Sequence, residues 1–377
     1  MAGIYIHIPF CKQACHYCNF HFSTSTSLKE EMVQALNKEI RLSLNLNAGK
    51  ENIETIYFGG GTPSLLNKRT IEELVFTIKN SYSVNASAEI TLEANPDDIT
   101  TEKLESWKDT GINRLSIGIQ SFKEADLKWM NRAHNAIEAV ESISLAKEAG
   151  FQNFSVDLIY GTPSLTDDEW SDNVKKIIAL GVPHLACYAL TVEPGTALQK
   201  MIGLNKKTGV NNEDQARQFL LLMAMMHDAG YEHYEISNFA KPGFRSRHNS
   251  SYWNGESYIG IGPSAHSYDG KVRRWNIANN ALYIGSIKNN VIPYEEEVLT
   301  KVQSLNEYIM ISLRTIEGLD LNVIENKFSD IERKRIENET KALLDKGLMD
   351  RKGQQLTLSD KGKLFADGIA SDLFTGF

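Results

Sequence analysis

The run Ile4-Tyr5-Ile6-His7-Ile8-Pro9-Phe10-Cys11, continued through Cys15 to Cys18, joins a short β-rich apolar stretch to three cysteines on one loop. The apolar stretch reads as a strand that ends before Pro9. Cys11-x3-Cys15-x2-Cys18 therefore presents three thiols beyond a strand's C-terminal end. The chain has one other cysteine, Cys187, so a disulfide framework is excluded and the clustering points to a metal. Structural zinc needs four ligands, commonly two separated cysteine pairs; no second pair exists here, and His16, His21 or Cys187 are candidates for a fourth ligand. A cubane iron–sulfur cluster can instead be held by three cysteines with one iron left open.

Further strands follow at 55–58, 89–93, 114–119, 153–159 and 184–190, separated by helical patterns at 28–45, 70–79, 101–109, 136–149 and 166–180. Six βα units in succession imply parallel strands, because a parallel pair needs a crossover. An open doubly wound sheet and a partial barrel both satisfy the pattern. In either, ligands gather at the C-terminal strand ends. The unusual residues fall there: Gly59-Gly60-Gly61-Thr62-Pro63 after the second strand, Glu93-Ala94-Asn95-Pro96 after the third, Gln120-Ser121 after the fourth, and Asp157 to Pro163 closing the fifth. Three consecutive glycines cost backbone entropy, which suggests close approach to a ligand. Cys187 lies in an apolar strand and reads as a packed thiol.

The chain has 377 residues, 42% hydrophobic, which is ample for a sizeable core and excludes a disordered or fibrous protein. A net charge of −8 supplies no global attraction for nucleic acid or anionic membrane. The longest strongly apolar run, 219–226, is far shorter than a spanning helix, and the first residues lack a signal-peptide pattern. A cytoplasmic protein is expected. Residues 1–295 read as one domain, and 296–377 as a small winged-helix-like domain, with helical runs at 302–314, 321–328 and 330–346, a hairpin at 352–353 and a last helix from 359. Ten basic side chains against eleven acidic over 318–377 argue against a DNA reader.

The cysteine spacing after a strand, with a glycine triplet after the next, resembles the radical S-adenosylmethionine (SAM) superfamily. The resemblance implies a partial (β/α)6 barrel and a [4Fe–4S] cluster on Cys11, Cys15 and Cys18. Its open iron would chelate SAM, whose reductive cleavage yields a 5′-deoxyadenosyl radical. Tyr5-Ile6-His7-Ile8-Pro9-Phe10-Cys11, Gly59-Gly60-Gly61-Thr62-Pro63-Ser64, Glu93-Ala94-Asn95-Pro96, Ser116-Ile117-Gly118-Ile119-Gln120-Ser121-Phe122, Asn131-Arg132-Ala133-His134 and Asp157-Leu158-Ile159-Tyr160-Gly161 narrow it. Together they resemble oxygen-independent coproporphyrinogen III oxidases and their haem-chaperone relatives, over nearly the whole chain. The resemblance implies that Tyr5, Gly60, Gly61, Thr62, Glu93, Gln120, Arg132 and Asp157 hold SAM, with Arg132 near its carboxylate and Gln120 and Asp157 near the ribose.

Oxidases carry a further cysteine two positions after the third ligand, where this chain has Phe20, and a longer extension before the motif. His248-Asn249-Ser250-Ser251-Tyr252-Trp253 resembles the HNxxYW signature of the haem-binding branch. Residues 241–274 carry six basic against two acidic side chains, interleaved with Phe244, Tyr252, Trp253, Tyr258 and Tyr268. Cations pair with propionates and aromatic rings cover a macrocycle, so a porphyrin suits the segment better than single-stranded nucleic acid. The expected haem residues are His248 as axial ligand with Arg245 and Arg273 at the propionates. The function expected is haem binding and transfer, with oxidative decarboxylation of coproporphyrinogen III as the alternative; a haem acceptor and an electron donor are implied without being specified.

Overall fold

The computed structural model describes residues 2–45 and 52–376. Six parallel strands form the centre: β1 (Ala2–Ile8), β2 (Ile53–Gly60), β3 (Val84–Ala94), β4 (Arg114–Gln120), β5 (Phe154–Tyr160) and β6 (His184–Ala189), hydrogen-bonded in chain order. Helices Lys29–Leu42, Lys68–Ser81, Thr101–Asp109, Ala136–Glu148 and Asp167–Ala179 make the crossovers. Their apolar residues recur at helical spacing, as with Ile71, Leu74, Val75 and Ile78, and enter a core shared with Ile4, Ile6, Phe58, Leu92, Ile117 and Val156. Side-chain caps from Asn67, Thr100, Asn135 and Thr166 fix four of the helix starts.

The βα alternation ends at β6, but the sheet does not. β8 (Asn238–Ala240) pairs antiparallel with β6 and β7 (Glu232–Glu235) antiparallel with β8, extending one edge, while β9 (Ser257–Ile261) pairs parallel with β1. β10 (His266–Tyr268), β11 (Val272–Asn276) and β12 (Tyr294–Val298) then continue antiparallel, giving twelve strands whose outermost members, β7 and β12, are not paired with each other. These added strands are short and polar, without the apolar runs that mark the central six. Helices Glu124–Met130, Ala197–Gly203, Arg247–Trp253 and Asn280–Lys288 likewise fall outside the sequence pattern, three of them being only seven residues long.

After β12, which crosses residue 296, a second core forms from Leu305, Ile309, Leu319, Ile336, Leu356 and Ile369. Its order is helix Lys301–Leu313, β13 (Leu319–Asp320), helices Leu321–Lys327, Asp330–Glu339 and Lys341–Asp345, then the hairpin β14 (Met349–Lys352) and β15 (Gln355–Leu358). The run 330–346 divides at Thr340, whose hydroxyl donates to the Ile336 carbonyl at 2.7 Å. Arg314–Glu235 and Arg245–Glu317 ion pairs tie this unit to the sheet's β7 edge. No helix among the described residues is long and apolar enough to cross a membrane.

Candidate functional site

The cysteine loop leaves β1 and folds across the C-terminal strand ends. Ser23 N–H donates to Pro9 O and Cys11 N–H to Ser23 O, closing the loop's base. Its far side is held by the 129–132 segment: Gln13 Nε2 donates to Asn131 O at 3.0 Å, Asn131 Nδ2 to Ala14 O at 2.8 Å, and His16 N–H to Met130 O. Asn131 adopts φ 60° to make that turn. Lys12 reaches Asp97 at 2.7 Å and also pairs with Asp98. The glycine triplet receives the loop. A Cβ on Gly61 would lie 2.7 Å from the Ile8 and Phe10 carbonyls, and one on Gly60, at φ 105°, would strike the His7 ring. The triplet's glycines are thus required by the protein's own packing.

Cys11, Cys15 and Cys18 are half-buried free thiols. Burial pushes Cys18 up to about 11, and the Cys15 and Cys11 thiols add to it; Cys11 is raised by burial against a hydrogen bond from Thr62. That mutual repulsion is what a bound cationic group relieves, with loss of protons on binding. Among the described residues no three His, Cys, Asp or Glu side chains are gathered as around one ion. The fit to a cluster rests on the donor set: three soft thiols on one loop, the Arg132 guanidinium 3.2 Å from Cys15 Sγ, and a buried Arg132 Nε with no partner.

The polar residues expected on the rim converge around these thiols. Arg132 Nη2 donates to Asn95 Oδ1 and Gly118 O, both at 2.7 Å. Gln120 sits at φ 68° on a register shift between β4 and β5, which turns its amide back over Gly118 toward Arg132. Glu93 accepts from Tyr57 OH at 2.9 Å and from Gly60 N–H at 3.2 Å. Burial raises Glu93 to about 7, opposed by the Tyr57 bond, with Asp157 adding repulsion. Asp157, raised by burial to about 6 against the pull of Arg114, accepts from Ser116 Oγ at 3.4 Å. Tyr5 lies beside this group, stacked on Tyr57 with ring centroids 6.1 Å apart. Two participants were given no role by the sequence, although Asn95 lies in the quoted run Glu93–Pro96. Asn95 joins Thr62 to Arg132, and its place after a strand end was the available signal; Arg114, almost wholly buried near Glu89 with two unpartnered nitrogens, had no local signal.

The three haem candidates are not brought together as an open cradle. His248 is 1% exposed; Nδ1 is 2.7 Å from Thr55 Oγ1, Nε2 is 2.9 Å from Tyr252 OH, and its ring stacks on Tyr57 at 4.9 Å. An axial ligand needs a free, reachable ring nitrogen; in this structure both His248 nitrogens are hydrogen-bonded and the ring is packed against Tyr57. Helix Arg247–Trp253 is seated there by Glu89, which accepts from the Arg247 and His248 N–H groups. Arg245 is committed to Glu232 and Glu317, and Arg273 to Glu297 and Glu307. The local excess of cations is largely neutralised by carboxylates from sequence-distant strands and helices.

Residues 5–177 match the radical SAM superfamily. Over 373 residues the chain is 33% identical to the heme chaperone HemW of Bacillus subtilis, with 98% of both chains covered. The chain belongs to the HemW family of radical SAM proteins. HemW of Escherichia coli is 36% identical over 283 residues, 72% of each chain, and a mouse relative, radical S-adenosyl methionine domain-containing protein 1, mitochondrial, is 35% identical over 70% of this chain and 60% of its own. The coproporphyrinogen III oxidase HemN of Escherichia coli has the same fold, with a TM-score of 0.82 over 99% of this chain and 90% of that chain at 24% identity. A [4Fe–4S] cluster and SAM are the cofactors that membership of the HemW family entails.

Proposed function

We propose that this chain is a haem chaperone: it binds haem, carries a [4Fe–4S] cluster and SAM, and passes haem to an acceptor protein. The observation that carries the reading is identity to proteins named heme chaperone along 98% of both chains, not over the barrel alone. In this reading Cys11, Cys15 and Cys18 hold the cluster. Arg132, already bonded to Asn95 and Gly118, offers its unpartnered Nε to the SAM carboxylate, while Gln120 and Asp157 face the ribose. Tyr5, Gly60, Gly61, Thr62 and Glu93 line the side nearest β1 and β2. When bound, the cluster supplies single-electron chemistry and an iron site for SAM; the protein's residues orient the ligand and exclude water.

Phe20 is 66% exposed at the position where oxidases have a further cysteine, which favours the carrier over the decarboxylase. Residues from Lys301 onward are proposed as a winged-helix-like unit docked on the β7 edge, without a DNA-reading role. The cytoplasm is the proposed compartment, since free thiols persist in reducing surroundings. Anaerobic reconstitution with iron and sulfide tests the reading: Cys15→Ala abolishes the cluster and Cys187→Ala leaves it intact. Stoichiometric zinc without iron would overturn the cluster, and absence of haem uptake would overturn the chaperone role.

A further inference from the structure

β9 runs parallel to β1, so its C-terminal end, at Ile261 and Gly262, opens at the same mouth as the cysteine loop. β10 begins there with His266. This histidine is exposed, its ring stacks on Trp275 across the β10–β11 pair with centroids 6.3 Å apart, and neither ring nitrogen has a hydrogen-bond partner among the described residues. The strands fit closely because Gly260 lacks a side chain: a Cβ there would lie 2.0 Å from the His266 carbonyl. The adjoining sheet surface is aromatic. Tyr258 and Tyr268 face each other at 6.2 Å, Arg273 lies 5.8 Å over the Tyr268 ring, and Tyr258 meets Tyr252 at 4.7 Å, which joins this surface to the barrel interior.

Resting on the haem-chaperone reading, we propose that His266 is the axial ligand of haem iron, with Trp275 and Tyr268 forming the aromatic surface for the macrocycle. A neutral imidazole with a free nitrogen is the chemistry that binds haem iron. His266 meets that requirement, since partial burial and the neighbouring Arg273 lower its pKa. His248, by contrast, has both nitrogens occupied.

The test is titration of the full-length, cluster-loaded protein with hemin, followed by Soret absorption and electron paramagnetic resonance. Wild-type protein and His248→Ala show the same histidine-ligated spectrum. His266→Ala loses it and regains it with added imidazole, while His266→Met shifts the ligand field without changing the iron–sulfur content. Haem bound by wild type and His266→Ala with the same spectrum and affinity overturns the assignment and leaves the chaperone reading standing. No haem uptake by wild type overturns both.

Discussion

Replacing Arg132 with alanine removes three hydrogen bonds at once: to Cys15 Sγ at 3.2 Å, and to Asn95 Oδ1 and Gly118 O at 2.7 Å each. Two carbonyl acceptors lose their donor. At about 1–3 kcal/mol for each buried acceptor left unsatisfied, and with the low end apt for a half-buried site that water can enter, the cost is about 2 kcal/mol of stability. The loss for SAM is separate. A charge-assisted contact contributes about 1.5–3 kcal/mol, so SAM should bind about ten- to hundred-fold more weakly. Arg132→Lys keeps the charge but cannot reach several acceptors with a planar fork, and falls between. Calorimetry of SAM binding to reconstituted protein reads the affinity, and thermal unfolding reads the stability. Unchanged affinity in Arg132→Ala, with the cluster intact, would refute the assignment of Arg132 to SAM.

Glu39 is wholly buried and accepts from Gly262 N–H, Asn276 Nδ2 and Tyr283 OH; burial raises it to about 7 despite these bonds. An unfolded carboxyl ionises near 4.3, so the folded state holds the proton longer and stability falls as pH rises from about 4.3 to 7. Glu39→Gln should flatten that part of the stability profile; an unchanged slope counts against the raised pKa. His248→Ala leaves the Thr55 and Tyr252 hydroxyls without their partner and opens a cavity against Tyr57, at a cost of about 3 kcal/mol by chemical denaturation. A negligible loss would contradict the packing role. Duplex DNA should show no salt-dependent binding to the full chain, because the 318–377 segment has no basic excess; tight binding at low salt would overturn that reading.

The central sheet was legible because buried parallel strands and amphipathic crossovers both carry strong periods, and the cysteine loop because its spacing is local. The outer strands were not, since β8 and β10 are three residues long and owe their existence to pairing with β6 and β9. Glu93 and Gln120 stood out at the ends of β3 and β4, whereas Arg132, just past a helix, and Asp157, midway along β5, carried no such local signal and came only from the resemblance. The surroundings of His248 were not legible for a nonlocal reason. His248 sits in a basic, aromatic segment, but Thr55 and Glu89, far away in sequence, draw its helix into the barrel. The cations Arg245 and Arg273 looked free for the same reason: their carboxylate partners lie 13 to 72 residues away.

The most direct measurement gives cluster-loaded protein SAM, a reductant and coproporphyrinogen III, and follows porphyrin products while a parallel sample of the same preparation is titrated with haem. The chaperone account predicts stoichiometric haem uptake with no sustained decarboxylation. Continuous formation of protoporphyrinogen IX would contradict it and make the chain an oxidase.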